Sequence, residues 1–205
     1  MAIFKPEVKK TSGNFTSFEG VCEIGIVGFE DKSETFDWAD LFLDIIVKQK
    51  GSDYERTTQI KGSFEKEGGK IVGGSCLKRL YQFFDEIGCD AGITVDGKWE
   101  DATGNKIENI AQYLTDNHLS AVIPGTDPEY NFLGYFYKEQ PKTPGGKVYS
   151  RMWNKFYKNT DMNKANLKKD AEWMKSKGYI KEMKEGDIPN NTSGNTLSGS
   201  GLANL

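Results

Sequence analysis

The sequence predicts a mainly β fold with a few helices, of the α+β class, and three observations favour it. Short apolar runs are separated by turns rich in glycine, of which the chain has 23. One stretch, residues 75 to 88, changes to helical spacing. Aromatic side chains make up 12% of the 205 residues, which is enough apolar bulk for the core of a single domain.

Three strands are expected in the first part of the chain. The first covers residues 21 to 29 (VCEIGIVGF). Residues 37 to 48 (DWADLFLDIIVK) fit both helical and strand spacing, and the β-branched run IIV within them favours a strand. The third covers residues 54 to 64 (YERTTQIKGSF), which are rich in threonine and aromatic residues.

Helices are expected next. Residues 75 to 88 (SCLKRLYQFFDEIG) repeat apolar side chains at helical spacing, with Ser75 as the expected N-cap and Gly88 as the stop. A shorter helix is expected near residues 107 to 114, and His118 is expected in the loop after it.

Two strands then close the predicted domain. They cover residues 130 to 138 and 147 to 157, joined by the turn PKTPGG, and a short strand at 119 to 123 precedes them. Three strands, a helix and closing strands are the order of an OB-fold. The predicted architecture is therefore a five-stranded barrel with a helix between strands three and four.

The composition divides the chain into four segments. Residues 1–17 are a polar arm, 18–158 the OB-fold domain, 159–186 a lysine-rich C-terminal helix, and 187–205 a flexible tail of Gly, Ser and Asn. Two roles are possible for the third segment. It could be an amphipathic helix that closes the barrel, or a helix that adds lysines to a binding surface.

Positive charge is concentrated in residues 135 to 158. This stretch holds seven aromatic residues, six basic residues and one acid, in a chain of net charge −3. In a strand, alternate side chains share a face, and here that face is Lys147, Tyr149, Arg151, Trp153, Lys155 and Tyr157. Cations interleaved with rings are what unpaired nucleic acid requires. The alternative is that these rings pack a small core and the lysines are ordinary surface residues.

Other functional classes have weaker support. Asp37, Asp40 and Asp44 are candidates for a metal-dependent nuclease site, but a solvated strand face explains them equally well. One histidine and three scattered cysteines do not favour zinc or a disulfide framework. The glycine-rich GGKIVGGS lacks the spacing of a nucleotide-binding loop. We expect no metal and no cofactor.

Location follows from what the sequence lacks. The N-terminus has no apolar run of a secretory signal, and no apolar stretch is long enough to span a membrane. The cysteine usage suits a reducing compartment. A cytoplasmic protein without membrane contact is expected.

The order of these features resembles a known family. GVCEIGIVGF, WADLFLDIIV, TTQIKGSF, LKRLYQFFDEIG and FLGYFYKEQPKTPGGKVYSRMW follow one another as in the small OB-fold single-stranded DNA-binding proteins that tailed bacteriophages encode beside their replication and recombination genes. The resemblance covers residues 18 to 158. The C-terminal tail departs from the family, because such proteins commonly end in an acidic tail, whereas the last acid of this chain is Asp187.

The resemblance implies a non-enzymatic protein that coats unpaired DNA, without sequence preference, in the cytoplasm of an infected cell. Its partners would be single-stranded DNA and phage replication or recombination proteins. The implied contact residues are Tyr135, Tyr137, Lys138, Lys147, Tyr149, Arg151, Trp153 and Lys155, with Trp38, Arg56 and Lys61 from earlier strands. The alternatives are a nucleic-acid enzyme, such as a metal-dependent nuclease, and an OB-fold structural or interaction protein of a virion.

Overall fold

The structure, a computed structural model, describes residues 18–120, 127–143, 146 and 148–183. Several predicted features lie outside the described residues. They are the arm at 1–17, the greater part of the strand at 119–123, Lys147, and the tail at 187–205.

Eleven strands and three α-helices occur within the described ranges. The strands are β1 (Gly20–Asp31), β2 (Leu41–Gln49), β3 (Glu55–Gly62), β4 (Glu65–Glu67), β5 (Lys70–Gly73), β6 (Gly92–Ile93), β7 (Trp99–Glu100), β8 (Lys106–Ile107), β9 (Phe132–Glu139), β10 (Tyr149–Met152) and β11 (Tyr157–Lys158). The helices are α1 (Ser75–Ile87), α2 (Ile110–His118) and α3 (Asp161–Ser176), and a 3-10 turn covers Ser33–Thr35. Among the helices described, none is long and apolar enough to cross a membrane.

The principal sheet has the strand order β10-β9-β1-β2-β3, with neighbours antiparallel, and β11 also pairs with β9. The predicted mainly β, α+β class is confirmed, and the ambiguous segment at 37 to 48 forms a strand from Leu41 onward. The fourth long strand, β9, returns to pair with β1, which gives the 4-1-2-3 order of a Greek key. Within the described residues, β3 and β10 share no ladder of hydrogen bonds, so the sheet does not close into a barrel.

The main core lies between the inner face of this sheet and α1. Its fully buried side chains include Ile26, Ile45, Leu80, Phe84 and Phe136. Their burial on both elements confirms the helical spacing predicted for residues 75 to 88, since the apolar stripe of α1 faces the strands.

The two ends of α1 differ in how well they were predicted. Gly88 ends the helix in the left-handed conformation, with φ of 72°, as expected. Ser75 is not the N-cap, because Gly74 holds that position with φ of 119° and no side-chain hydrogen bond. A Cβ on Gly74 would lie 3.0 Å from the backbone nitrogen of Glu65, so both the backbone angle and the space favour glycine.

A second, smaller core lies on the opposite face of β9. Leu167 and Ala171 of α3 are completely buried there against Leu133 and Tyr135. The predicted C-terminal helix is therefore present, but α3 ends at Ser176, well before residue 186. Trp173 of the same helix is 57% exposed and takes no part in this core.

The remaining elements are short. β4 and β5 form a hairpin, and β6, β7 and β8 form a small sheet with a turn at Asp96 and Gly97 between its first two strands. His118 lies in the last turn of α2 and not in a loop, because the helix continues four residues beyond Leu114. Burial lowers the pKa of this imidazole.

The second core predicts how α3 is held. Leu167→Ala should lower the free energy of unfolding by about 2–5 kcal/mol, because it removes a fully buried side chain between α3 and β9. Urea unfolding monitored by circular dichroism measures this. The matched control, Met162→Ala, changes a 73% exposed residue of the same helix and should shift stability by less than about 0.5 kcal/mol. Equal effects of the two changes would contradict the packing described.

Candidate nucleic-acid interface

The closing segment is not the single strand that the alternation of residues 147 to 157 predicts. Met152, at the end of β10, pairs with Phe136, whereas Tyr157 of β11 pairs with Leu133. From Met152 to Tyr157 this segment advances five residues, whereas the paired stretch of β9 from Phe136 to Leu133 covers only three. The two extra residues interrupt the strand between Trp153 and Phe156, in the manner of an extended bulge.

The inner face of the segment is nevertheless as expected. Met152 and Phe156 are buried in the main core, with exposures of 8% and 4%. Tyr149 and Arg151 face outward on β10, and Tyr149 is 54% exposed. β10 therefore has the predicted two faces, one apolar and buried, the other carrying exposed rings and cations.

Helix α3 covers some of the aromatic side chains that were predicted to contact nucleic acid. Tyr135 is only 6% exposed because it packs beneath α3, and the Lys175 Nζ lies 5.0 Å from its ring centre. Burial raises the pKa of its phenol. Trp153 and Tyr157 are half-buried beside the same core. The prediction that Tyr135 is open to a base is wrong in this arrangement, since α3 occupies the space above it.

Lys155 is engaged with α3. Its Nζ donates to Asp170 Oδ2 at 2.5 Å, and the Tyr157 hydroxyl donates to the same oxygen at 2.7 Å. Burial opposes the charge on Lys155, but its hydrogen bonds with Asp170 and Tyr157 raise its pKa. The ammonium is therefore neutralised by a carboxylate of α3, and the predicted phosphate contact would have to break this pair.

An open groove lies where β3 and β10 approach each other without pairing. One part of it has a volume of about 570 Å³ and is lined by Tyr54, Arg56, Lys138 and Tyr149 among others. An adjoining part of about 390 Å³ shares Arg56 and adds Arg151 from the opposite strand. The gap between the end strands of the sheet is thus the surface where several predicted residues meet.

Two ring–guanidinium pairs face this groove. The Arg56 Cζ lies 3.8 Å from the centre of the Tyr54 ring, and the Arg151 Cζ lies 5.5 Å from the centre of the Tyr149 ring. Both pairs have the spacing Tyr-x-Arg. Tyr149 and Arg151 share a face of β10, and Tyr54 lies directly before β3, which carries Arg56. Tyr54 was missed in the sequence analysis, and its signal was this repeat of the Tyr149-x-Arg151 spacing.

The groove is basic in a chain that is acidic as a whole. The charged residues that line its two parts are Arg56, Lys61, Lys138, Arg151 and the single acid Glu55. Arg151 Nε donates to Glu139 at 2.9 Å, and Lys138 pairs with Glu19 at 2.7 Å. The Arg56 Nε is buried and has no hydrogen-bond partner among the described residues. The local excess of positive charge suits a polyanion.

Trp38 extends this surface beyond the end of β3. It is 56% exposed, and its ring meets Phe42 at 6.1 Å between centroids. Phe42 in turn lies beneath the Lys61 Nζ, at 4.9 Å. An exposed indole and a groove-lining lysine are thus connected through one buried ring.

The structure brings together most of the predicted contact residues, but not all. Those that line the groove are Tyr137, Lys138, Tyr149, Arg151, Trp153, Arg56 and Lys61. Tyr135 is buried and Lys155 is bound to α3, whereas Lys147 lies outside the described residues.

Two of the three acids considered for a nuclease site, Asp40 and Asp44, lie in separate ion pairs, and Asp37 is exposed. Asp40 pairs with Lys66 at 2.5 Å, and Asp44 pairs with Lys32 at 2.6 Å. In the part of the chain that the structure describes, no group of three or more His, Cys, Asp or Glu side chains is placed to hold a metal ion.

Comparison of the chain with protein-family models, curated proteins and solved structures finds no match. The geometry of the groove is therefore what bears on function.

The ion pair between Asp170 and Lys155 predicts a pH dependence. Burial opposes the charge on Asp170, yet hydrogen bonds from Lys155 and Tyr157 hold its pKa below the ordinary 3.8. A carboxyl whose pKa is lowered by folding stabilises the fold above its unfolded pKa and loses that contribution as pH falls through the folded value. Asp170→Asn should therefore cost roughly 1 kcal/mol at pH 7, an estimate kept small for a partly solvated pair.

Urea unfolding of both proteins at several pH values checks this. The difference between wild type and Asp170→Asn should shrink as pH falls below 3.8. Glu172→Gln, an exposed acid on the same helix, serves as the control and should show little difference at any pH. A difference for Asp170→Asn that persists unchanged in acid would contradict the assigned ion pair.

Proposed function

We propose that this protein is a non-enzymatic, single-stranded DNA-binding module that holds the strand in the groove between β3 and β10. The observation that carries the proposal is the pair of Tyr-x-Arg arrangements facing one basic groove. Rings that are open to solvent take stacked bases, and guanidinium groups beside them take phosphates. In a duplex the faces of the bases are stacked on neighbouring base pairs and hidden from such rings, so the unpaired strand is the preferred ligand.

We also propose that the domain is an OB-fold. The Greek-key order of its long strands and the position of α1 between β3 and β9 support this. The end strands also approach each other, since the Asn154 Nδ2 donates to the Gln59 carbonyl at 3.3 Å. A partly open barrel of this kind would place its binding cleft at the unpaired junction.

Binding in the groove has no intrinsic sequence preference in this proposal. Each stacked base contributes about 1–3 kcal/mol, whichever base it is, because every base has a π-face. Phosphate contacts add a term that weakens as salt rises. Tyr135, which α3 covers, takes no part, so the contact surface is shifted toward Tyr149.

A role in coating unpaired DNA during phage replication or recombination, in the host cytoplasm, remains part of the proposal. It rests on the family resemblance of residues 18 to 158. Contact with replication or recombination proteins rests on the same resemblance.

Tyr149→Ala should weaken binding to a fluorescent oligo-dT by roughly fivefold to a hundredfold, because it removes an exposed stacking ring. Fluorescence anisotropy at low salt measures this. Tyr179→Ala is the matched control, since Tyr179 is 71% exposed and does not line the groove. The proposal fails if wild type does not bind the oligonucleotide at low salt. An unchanged affinity for Tyr149→Ala would remove this ring from the interface.

Arg151→Ala should reduce the slope of log affinity against log salt by about one unit, because one phosphate contact is lost. Lys155→Ala should leave the slope unchanged, because Lys155 does not line the groove and its ammonium is held by Asp170 of α3. Equal slopes for wild type and Arg151→Ala would contradict the phosphate role. The same titrations in magnesium, followed on gels, test the enzyme alternative: cleavage that a chelator abolishes would favour a nuclease.

A further inference from the structure

A second cavity adjoins the groove at its β10 end. It has a volume of about 410 Å³ and lies between α1, the interruption after β10, and α3. Trp153 and Asn154 line both this cavity and the groove. A strand that follows the groove toward α1 therefore reaches the mouth of the cavity directly.

The walls of the cavity suit a flat aromatic ligand. Phe83 and Phe156 are almost fully buried, with their ring centres 4.9 Å apart, and both line it. Trp153 and Tyr157 are half-buried and add two more rings. A volume of this size lies within the range of small-ligand sites, which are mostly apolar with a few polar groups that fix orientation.

α1 supplies four polar side chains to the cavity, and Asn154 and Lys155 from the interruption after β10 supply two more. Arg79, Gln82 and Glu86 recur at helical spacing, and Asp85 lies one turn beyond Gln82. Glu86 accepts from the Lys158 backbone nitrogen at 2.7 Å. Gln82 and Asp85 are exposed and solvated. Arg79 donates from one terminal nitrogen to the Lys61 carbonyl at 2.9 Å, and its buried Nε has no hydrogen-bond partner among the described residues.

The position of these acids is unfavourable for the helix. Asp85 and Glu86 lie in the last turn of α1, which contains no basic residue. Negative charge at a helix C-terminus opposes the macrodipole. Asp85 gains no compensating ion pair among the described residues, so the stability of α1 does not explain its presence.

We propose that this cavity binds one unstacked nucleobase of the single strand, with guanine preferred; the inference rests on the proposed function of the adjoining groove. The N1–H and N2 amino group of guanine form a pair of donors that the Asp85 carboxylate accepts. Its O6 and N7 are acceptors suited to the Arg79 guanidinium. Thymine offers one N–H donor between two carbonyl oxygens, which meet the carboxylates unfavourably. The groove thus supplies binding without sequence preference, and the cavity adds selection at a single position.

Competition binding to the full chain tests this with short oligo-dT carrying one internal substitution. A single dG should bind roughly fivefold to a hundredfold more tightly than unsubstituted oligo-dT. Deoxyinosine, which keeps N1–H and O6 but lacks the amino group, should lose much of that preference. Asp85→Asn should abolish the dG preference, while oligo-dT should bind at least as tightly as to wild type, because a negative charge near the strand is removed. This variant should fold at least as well as wild type, because it removes a negative charge from a helix C-terminus.

Glu172→Gln is the control, as it removes one charge from an exposed helical position outside the cavity and should preserve the dG preference. Tight binding of oligo-dT with equal affinities for dG, deoxyinosine and dT overturns the cavity assignment alone. Failure of the wild-type protein to bind any of these oligonucleotides overturns the assignments of both the cavity and the groove. A dG preference that survives Asp85→Asn overturns the role given to this carboxylate.

Discussion

The antiparallel pairing of β9 with β1 is the constraint on which the rest of the molecule depends. It returns the chain across the sheet after α1 and α2, and it carries β10 to the side where β3 is the other end strand. Without this pairing the two Tyr-x-Arg arrangements would lie on unrelated surfaces. β9 also has two buried faces, since Phe136 joins the main core and Leu133 joins the core under α3. One strand therefore aligns the groove and holds the helix beside it.

The position of α3 decides which rings are available. The sequence shows seven aromatic residues between 135 and 158 and offers no local means to separate those beneath a helix from those in solvent. Leu167 and Ala171 carry the apolar side of α3, and Asp170 adds a carboxylate that attracts Lys155. Cations that a local pattern assigns to phosphate are thus divided by tertiary contacts into paired and available groups.

Sequence patterns were most informative where one period dominates. α1 follows from helical spacing and β1 from alternation, because each buries one apolar face against the main core. β2 follows from its β-branched run and β3 from its threonine and aromatic content, whereas β9 is buried on both faces. The interruption after Met152 did not follow, since period-2 alternation continues through the two extra residues and conceals them. The cavity beside α1 was equally hidden. Most of its polar side chains lie on α1, where the sequence pattern predicted only the buried apolar face. Its rings come mainly from the segment after β10, which is distant in sequence.

The gap between β3 and β10 also bears on how the protein behaves at high concentration. An unpaired strand edge normally invites another chain to extend the sheet. Here the Gln59 carbonyl accepts from Asn154, and the Lys61 carbonyl accepts from Arg79 at 2.9 Å. These side chains occupy acceptors that an incoming strand would need. The molecule keeps an accessible opening in its sheet and at the same time disfavours edge-to-edge self-association.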